Sequence, residues 1–201
     1  MEYEFKENYK AWIAAAIIVV TVATRIFGQI PNVSPITTVA MMSGIFLGGY
    51  WMWVVPFGSM ILSDLIMAIT NSYNLSVVEY LAHTPFVYLA FAAIVLVGVI
   101  IQRNDKLDFE SKAYFGAIST PAIGSVLFFL ITNFFVWLNP LPVFADMYPK
   151  TLEGLGMSYA MALPFFKNML VGDAIFAVSA FSVLYLISLP IKRSIEYAKQ
   201  R

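Results

Sequence analysis

Eight side chains within or beside the apolar segments of this chain could do chemistry: Arg25, Ser63, Asp64, Asn133, Tyr159, Lys167, Asn168 and Asp173. An uncompensated charge at membrane depth costs at least about 2.5–3.5 kcal/mol, so such groups face the interior of a bundle and pair. Arg25 with Asp64, and Lys167 with Asp173 or Asp64, are the expected pairs. Lys167 and Asp173 are six positions apart, roughly 240° around a helix, so they need different partners. The chemistry these residues suit is recognition of a small polar molecule. Asp64, Asn133, Tyr159, Lys167, Asn168 and Asp173 are the expected substrate-binding residues, with Arg25 and Ser63 behind them. The competing reading makes the same residues clamps between helices. Their common depth favours a pocket, because a pocket open to one side needs its polar groups at one level.

Catalysis is the weaker reading. Ser63–Asp64 or Lys167 could serve as nucleophile or base, since a buried lysine ionises less readily. No nucleophile elbow, HExxH or aspartyl pair accompanies them, so the expectation is a protein that is not an enzyme. The chain has no cysteine and a single histidine, His83, which leaves no thiolate or His-rich metal site. No cofactor is implied.

The elements that must position these residues are membrane helices. Composition is 60% hydrophobic and 12% charged, that of an integral membrane protein forming one domain over residues 1–201. The formal net charge is zero, which argues against a nucleic-acid partner. The first apolar run is too long for a signal-peptide core, so no cleavable signal is expected. Six transmembrane helices are expected, at about 11–27, 36–48, 51–69, 85–102, 113–138 and 164–189. Between them lie the loop GQIPNVSP (28–35), a polar loop over 70–83, a charged loop over 103–112 and a proline-containing loop over 139–149. The second helix is short for a crossing.

The stretch Tyr148 to Asp173 organises the rest. Apolar sequence from Leu152 to Leu189 exceeds the roughly 20 residues one crossing needs, and Pro164 divides it. Proline suits the first turn of a helix and disrupts an interior. A short non-crossing helix over about 152–163, followed by the sixth spanning helix, is therefore expected. Such a lid over a polar helix start is one way membrane proteins cover a ligand.

Basic residues set the sidedness. Lys6 and Lys10, then Arg103, Lys106 and Lys112, then Lys192, Arg193, Lys199 and Arg201 fall on one side of a six-span topology, while the loops after the first and third helices have none and the loop after the fifth has Lys150. The expectation is a multi-pass protein of the inner (plasma) membrane with both termini cytoplasmic. Aromatic residues near the outer face suit an interfacial belt, with Tyr159 the one assigned to the pocket. Ala11-x-x-x-Ala15 and Gly44-x-x-x-Gly48 mark close helix approach.

The combination Arg25, Pro31-Asn32-x-Ser34-Pro35, Ser63-Asp64, Asn133, Tyr148-Pro149-x-Thr151, Gly154-Leu155, Pro164-Phe165 and Gly172-Asp173 resembles an uncharacterised family of small bacterial membrane proteins. That family resembles the substrate-binding S components of energy-coupling factor (ECF) vitamin transporters. The resemblance implies an S-component-like bundle: an outward pocket built from the last three helices and capped by the loops after the first, third and fifth. It also implies that Ala11 and Ala15 dock onto a transmembrane coupling subunit served by ATPases. The expected function is substrate binding for uptake of a small, vitamin-like molecule. The alternative is a non-transporting scaffold or assembly partner in the bilayer.

Overall fold

The computed structural model describes residues 2–28, 30–70, 77–104, 106, 108–139 and 147–199, and among them every regular element is a helix. In order these are α1 (Glu2–Phe27), α2 (Ile36–Met42) with a π-helical turn (Ser43–Leu47), α3 (Trp51–Ile69), α4 (Val77–Gln102), α5 (Phe109–Ser119) with a π-helical turn (Thr120–Gly124), α6 (Ser125–Leu138) and α7 (Leu152–Lys199). Five stretches are long and apolar enough to cross a bilayer: Lys10–Phe27, Trp51–Ile69, Thr84–Gln102, Phe109–Leu138 and Leu152–Leu186. A sixth, Ile36–Leu47, is apolar but shorter. This is the make-up of a helical membrane protein.

The short helix is the hub. Ile36 to Met41 are all buried, and α2 touches α1, α3, α4 and α7. Ala40, Met41 and Ile45 form one core with Met60 of α3, Phe91, Ile94 and Val95 of α4, and Ala177 and Phe181 of α7. The close approach expected at the Gly44-x-x-x-Gly48 step is made by Gly44 alone, against Gly98 of α4. A Cβ on Gly44 would strike the Val95 carbonyl oxygen and lie 2.9 Å from Gly98 Cα. Gly48 instead ends the helix with φ +65° and has open space around it, where an L side chain would be strained. On α1, Ala14 is buried against Val39 and Val55, Ala15 is exposed and Ala11 half-buried.

Two expectations about proline are corrected. Pro164 does not separate a short helix from a spanning one: α7 runs unbroken for 48 residues, about 72 Å at 1.5 Å per residue. The reason is visible on both sides of the proline. Before it, Tyr159 Oη donates to Leu130 O at 2.9 Å; after it, the Phe166 ring stacks on Phe129 at 4.4 Å. Both halves are pinned to the same helix, α6, which holds them collinear despite the missing N–H. Likewise Pro85 lies inside α4, which begins at Val77, so residues 77–83 are helix where a loop was expected. Residues 71–76, the rest of that expected loop, and 140–146, in the expected loop over 139–149, lie outside the described residues. The expected start of the fifth helix at 113 moves to Phe109, because Asp108 caps it: its Oδ1 accepts from Ser111 N at 2.8 Å. Pro121 is absorbed by the π turn, in which Ser125 N–H bonds back to Thr120 O.

Candidate functional site

The site begins with the loop that joins α1 to α2. Val33 N donates to Ile30 O at 3.2 Å, and Asn32 has φ +62°. Proline second and asparagine third, with positive φ at the third, is the pattern of a type II turn. Ser34 Oγ then accepts from Ile36 N at 3.2 Å as α2 starts. The back of the loop is seated on α7. Asn168 Nδ2 donates to Pro31 O at 3.3 Å. One turn along, a Cβ on Gly172 would lie 3.1 Å from Val33 Cγ1, so any side chain there would push the loop outward by a few tenths of an ångström.

Beneath this loop is a cavity of about 300 Å³. Its lining combines Arg25, Asn32, Ser34 and Thr37 with Met60, Phe91, Phe128 and Met169. A neighbouring cavity of about 120 Å³ shares Asn32, Phe128 and Met169 and adds Asn133, Phe165 and Phe166. A larger groove of about 670 Å³ lies between α5 and α7, lined by Ala113, Tyr114, Ile118, Val178, Phe181 and Leu186 among others. We place the site in the smaller space. Specific pockets need a few convergent polar groups in an apolar wall, and the groove is a nearly all-apolar trough on a surface that suits lipid.

Arg25 is fixed by a network across three helices. Its Nη2 bonds Asp64 Oδ1 at 3.0 Å, and its Nη1 donates to Ser63 Oγ and, at 3.0 Å, to Met60 Sδ. Tyr88 Oη of α4 donates to the other Asp64 oxygen at 3.0 Å. The expected Arg25–Asp64 pair is therefore present, with the roles exchanged. Arg25 lines the cavity, and Asp64, 7% exposed, holds it there.

Asp173 has no cationic partner among the described residues. It is 1% exposed and takes hydrogen bonds from Ser125 Oγ at 2.7 Å and from the Thr37 hydroxyl. Thr37 lines the cavity floor, so Asp173 stands directly beneath the floor and ties α7 to α2 and α6. The expected pairing of Lys167 with Asp173 or Asp64 is not formed. Both carboxylates have other partners, and Lys167 points to the exposed side of α7, 100° round from Asn168.

Of the remaining two residues, Asn133 bonds within its own helix and Tyr159 joins two helices. Asn133 Nδ2 donates to Phe129 O of its own helix at 2.8 Å while lining the smaller cavity. Tyr159 spans from α7 to Leu130 O and packs on Phe129 at 5.4 Å. Tyr159 and Asp173 are fourteen residues apart, about 21 Å along the helix. The single level expected for all of them thus resolves into two. Of these residues only Arg25 lines the cavity; Asp64, Asn168 and Asp173 each hold a residue of its wall from behind, and Tyr159 sits well beyond it. The pocket also draws on α1, α2 and α3, not on the last three helices alone. Thr37, Met60, Phe91, Phe128 and Met169 carried no signal in the sequence, since a threonine or aromatic in an apolar helix is ordinary. The pair Thr37–Thr38 in a short, otherwise apolar helix was the one available hint.

Replacing Asn168 by alanine removes the bond to Pro31 O. The expected cost is about 1 kcal/mol of stability, with faster hydrogen exchange confined to residues 28–35. Unchanged exchange there would show that Gly172 and Val33 alone hold the loop.

No curated protein and no solved structure matches the chain. Residues 5–195 match the family described as a family of unknown function (DUF6580), and the chain belongs to that family.

Proposed function

We propose that this protein binds a small organic molecule in the cavity beneath the 28–35 loop and serves its passage across the membrane, in the manner of an ECF S component. It does no chemistry on the ligand. The observation that carries the reading is the cavity itself: a positioned arginine, three other polar side chains and two phenylalanines converge on one half-open space under a fastened loop. In this reading the short α2 lets the cavity reach into the bundle, and six segments cross, with both termini in the cytoplasm and the cavity facing outward across the inner membrane. Ala15, exposed on α1, is then available to a coupling subunit. The ligand is small and vitamin-like in size.

The test is binding to the purified protein, measured against a panel of vitamins and related small molecules. Ser34→Trp, which fills the cavity from the loop, is expected to abolish binding while lowering stability by only about 1 kcal/mol, the cost of losing the Ser34 Oγ bond to Ile36 N. A variant that binds as well as the parent would move the site elsewhere.

A second reading, a membrane scaffold without a ligand, is favoured by one observation. Ser158 and Tyr159 of α7 both spend their hydroxyls on α6 carbonyls, as clamps do. Purification of the protein in a stable complex, with no small molecule bound and no panel compound recognised, would support that reading.

A further inference from the structure

Resting on the cavity as the binding site, we infer that its ligand is a small monocarboxylate, held by the free edge of Arg25. A guanidinium has five N–H donors in a planar fork. Ser63 and Met60 occupy the two on Nη1, and Asp64 takes one on Nη2. The Nε–H and the second Nη2–H have no partner among the described residues. Those two donors form one edge of the fork, the edge that matches the two oxygens of a carboxylate. The side chain keeps 14% of its surface accessible, and it lines the cavity.

The charge count limits the ligand to one negative charge. Among the described residues Arg25 is the only charged one in the lining, and Asp64 already offsets it at 3.0 Å. A phosphate dianion would find no second cation and would face the Asp64 carboxylate. A single carboxylate gains two charge-assisted hydrogen bonds from donors already held in place, so little ordering remains to be done on binding. The rest of the lining describes the rest of the molecule. Phe91, Phe128, Met60 and Met169 suit a flat or aromatic body, and Asn32, Ser34 and Thr37 can each serve one polar substituent. A volume of about 300 Å³ is at the lower end for ligand pockets.

The absence of cysteine supplies the test, because Ser34→Cys is then the sole thiol. Reaction of this variant with a membrane-impermeant maleimide on intact cells reports whether the cavity opens outward. In purified protein, the rate of labelling is followed against two matched probe pairs, nicotinate with nicotinamide and indole-3-acetate with indole-3-acetamide. At least one acid is expected to protect the thiol at a concentration about 10- to 100-fold lower than its amide, the range two charge-assisted bonds imply. Arg25→Lys, which keeps the charge beside Asp64 but loses the fork, is expected to bring acid and amide close together. Ile30→Cys, exposed on the loop and also in the lining, replaces Ser34→Cys if that variant folds poorly. Amides protecting as well as acids, no protection by either acid, or an acid preference that survives Arg25→Lys would overturn the carboxylate assignment and leave the cavity standing. A thiol at neither position reactive from outside would overturn the outward cavity itself.

Discussion

Asp64→Ala is expected to lower the stability of the folded protein by about 3–5 kcal/mol, the usual cost of leaving one member of a buried ion pair alone. The side chains of Arg25 and Asp64 are 14% and 9% exposed, so water cannot take over the role of the missing partner. The loss extends beyond one contact. Asp64 also accepts from Tyr88 on α4, and its removal leaves a phenol and a guanidinium facing an empty position among α1, α3 and α4. Thermal unfolding in detergent measures this. The double variant Arg25→Leu/Asp64→Leu is expected to recover much of the loss, because burying two apolar groups costs far less than burying one charge. If Asp64→Ala were neutral, Arg25 would have to be satisfied by water in the cavity it lines, and Asp64 would not be what holds it in place.

Gly44→Leu is the second large effect. The crossing of the π turn after α2 with α4 is so close that a methyl group on either Gly44 or Gly98 meets backbone atoms of the facing helix: Val95 O, Gly98 Cα and Val99 N on one side, Met41 O and Gly44 Cα on the other. A flexible side chain could move aside, but these backbone atoms cannot. Alanine alone is expected to cost about 1–3 kcal/mol by overpacking. Leucine must push the helices apart, and α2 would then lose the core it shares with Ile94 and Val95. The expected result is loss of monodisperse protein after extraction. Gly156→Ala is the matched control. Nothing lies within 4 Å of that position, and alanine in an exposed helix is worth up to about 1 kcal/mol over glycine. If Gly44→Leu behaved like Gly156→Ala, the crossing would be looser than described.

How much of this the sequence showed depends on the kind of signal. Helix positions set by long apolar runs were legible: α3 over 51–69, and the helix ends at Phe27, Gln102 and Leu138. The start of α2 at Ile36 was legible because Pro31 and Pro35 punctuate the loop before it. Proline inside an apolar run was misleading. Pro164 reads as a break from local chemistry, and only the contacts of Tyr159 and Phe166 with α6, remote in sequence, keep α7 whole. The Arg25–Asp64 pair could be inferred because each charge demanded a partner and the two stood near the same end of neighbouring helices. Lys167 could not be placed this way. A lysine near a helix end satisfies its charge by facing outward as readily as by pairing, and the sequence does not choose. The cavity walls were illegible for a related reason: Phe91 and Phe128 become a wall only when the short α2 leaves room above Thr37.

The central claim is that a small molecule belongs between Arg25, Thr37 and Phe128. A density map of the protein purified from its native membrane tests this most directly. The account predicts compact non-protein density in the space beneath residues 28–35, with a planar end against the free edge of Arg25. A map in which the side chains of Phe91, Phe128 and Met169 close over Thr37 and fill that space, with extra density only in the apolar groove between α5 and α7, would contradict it.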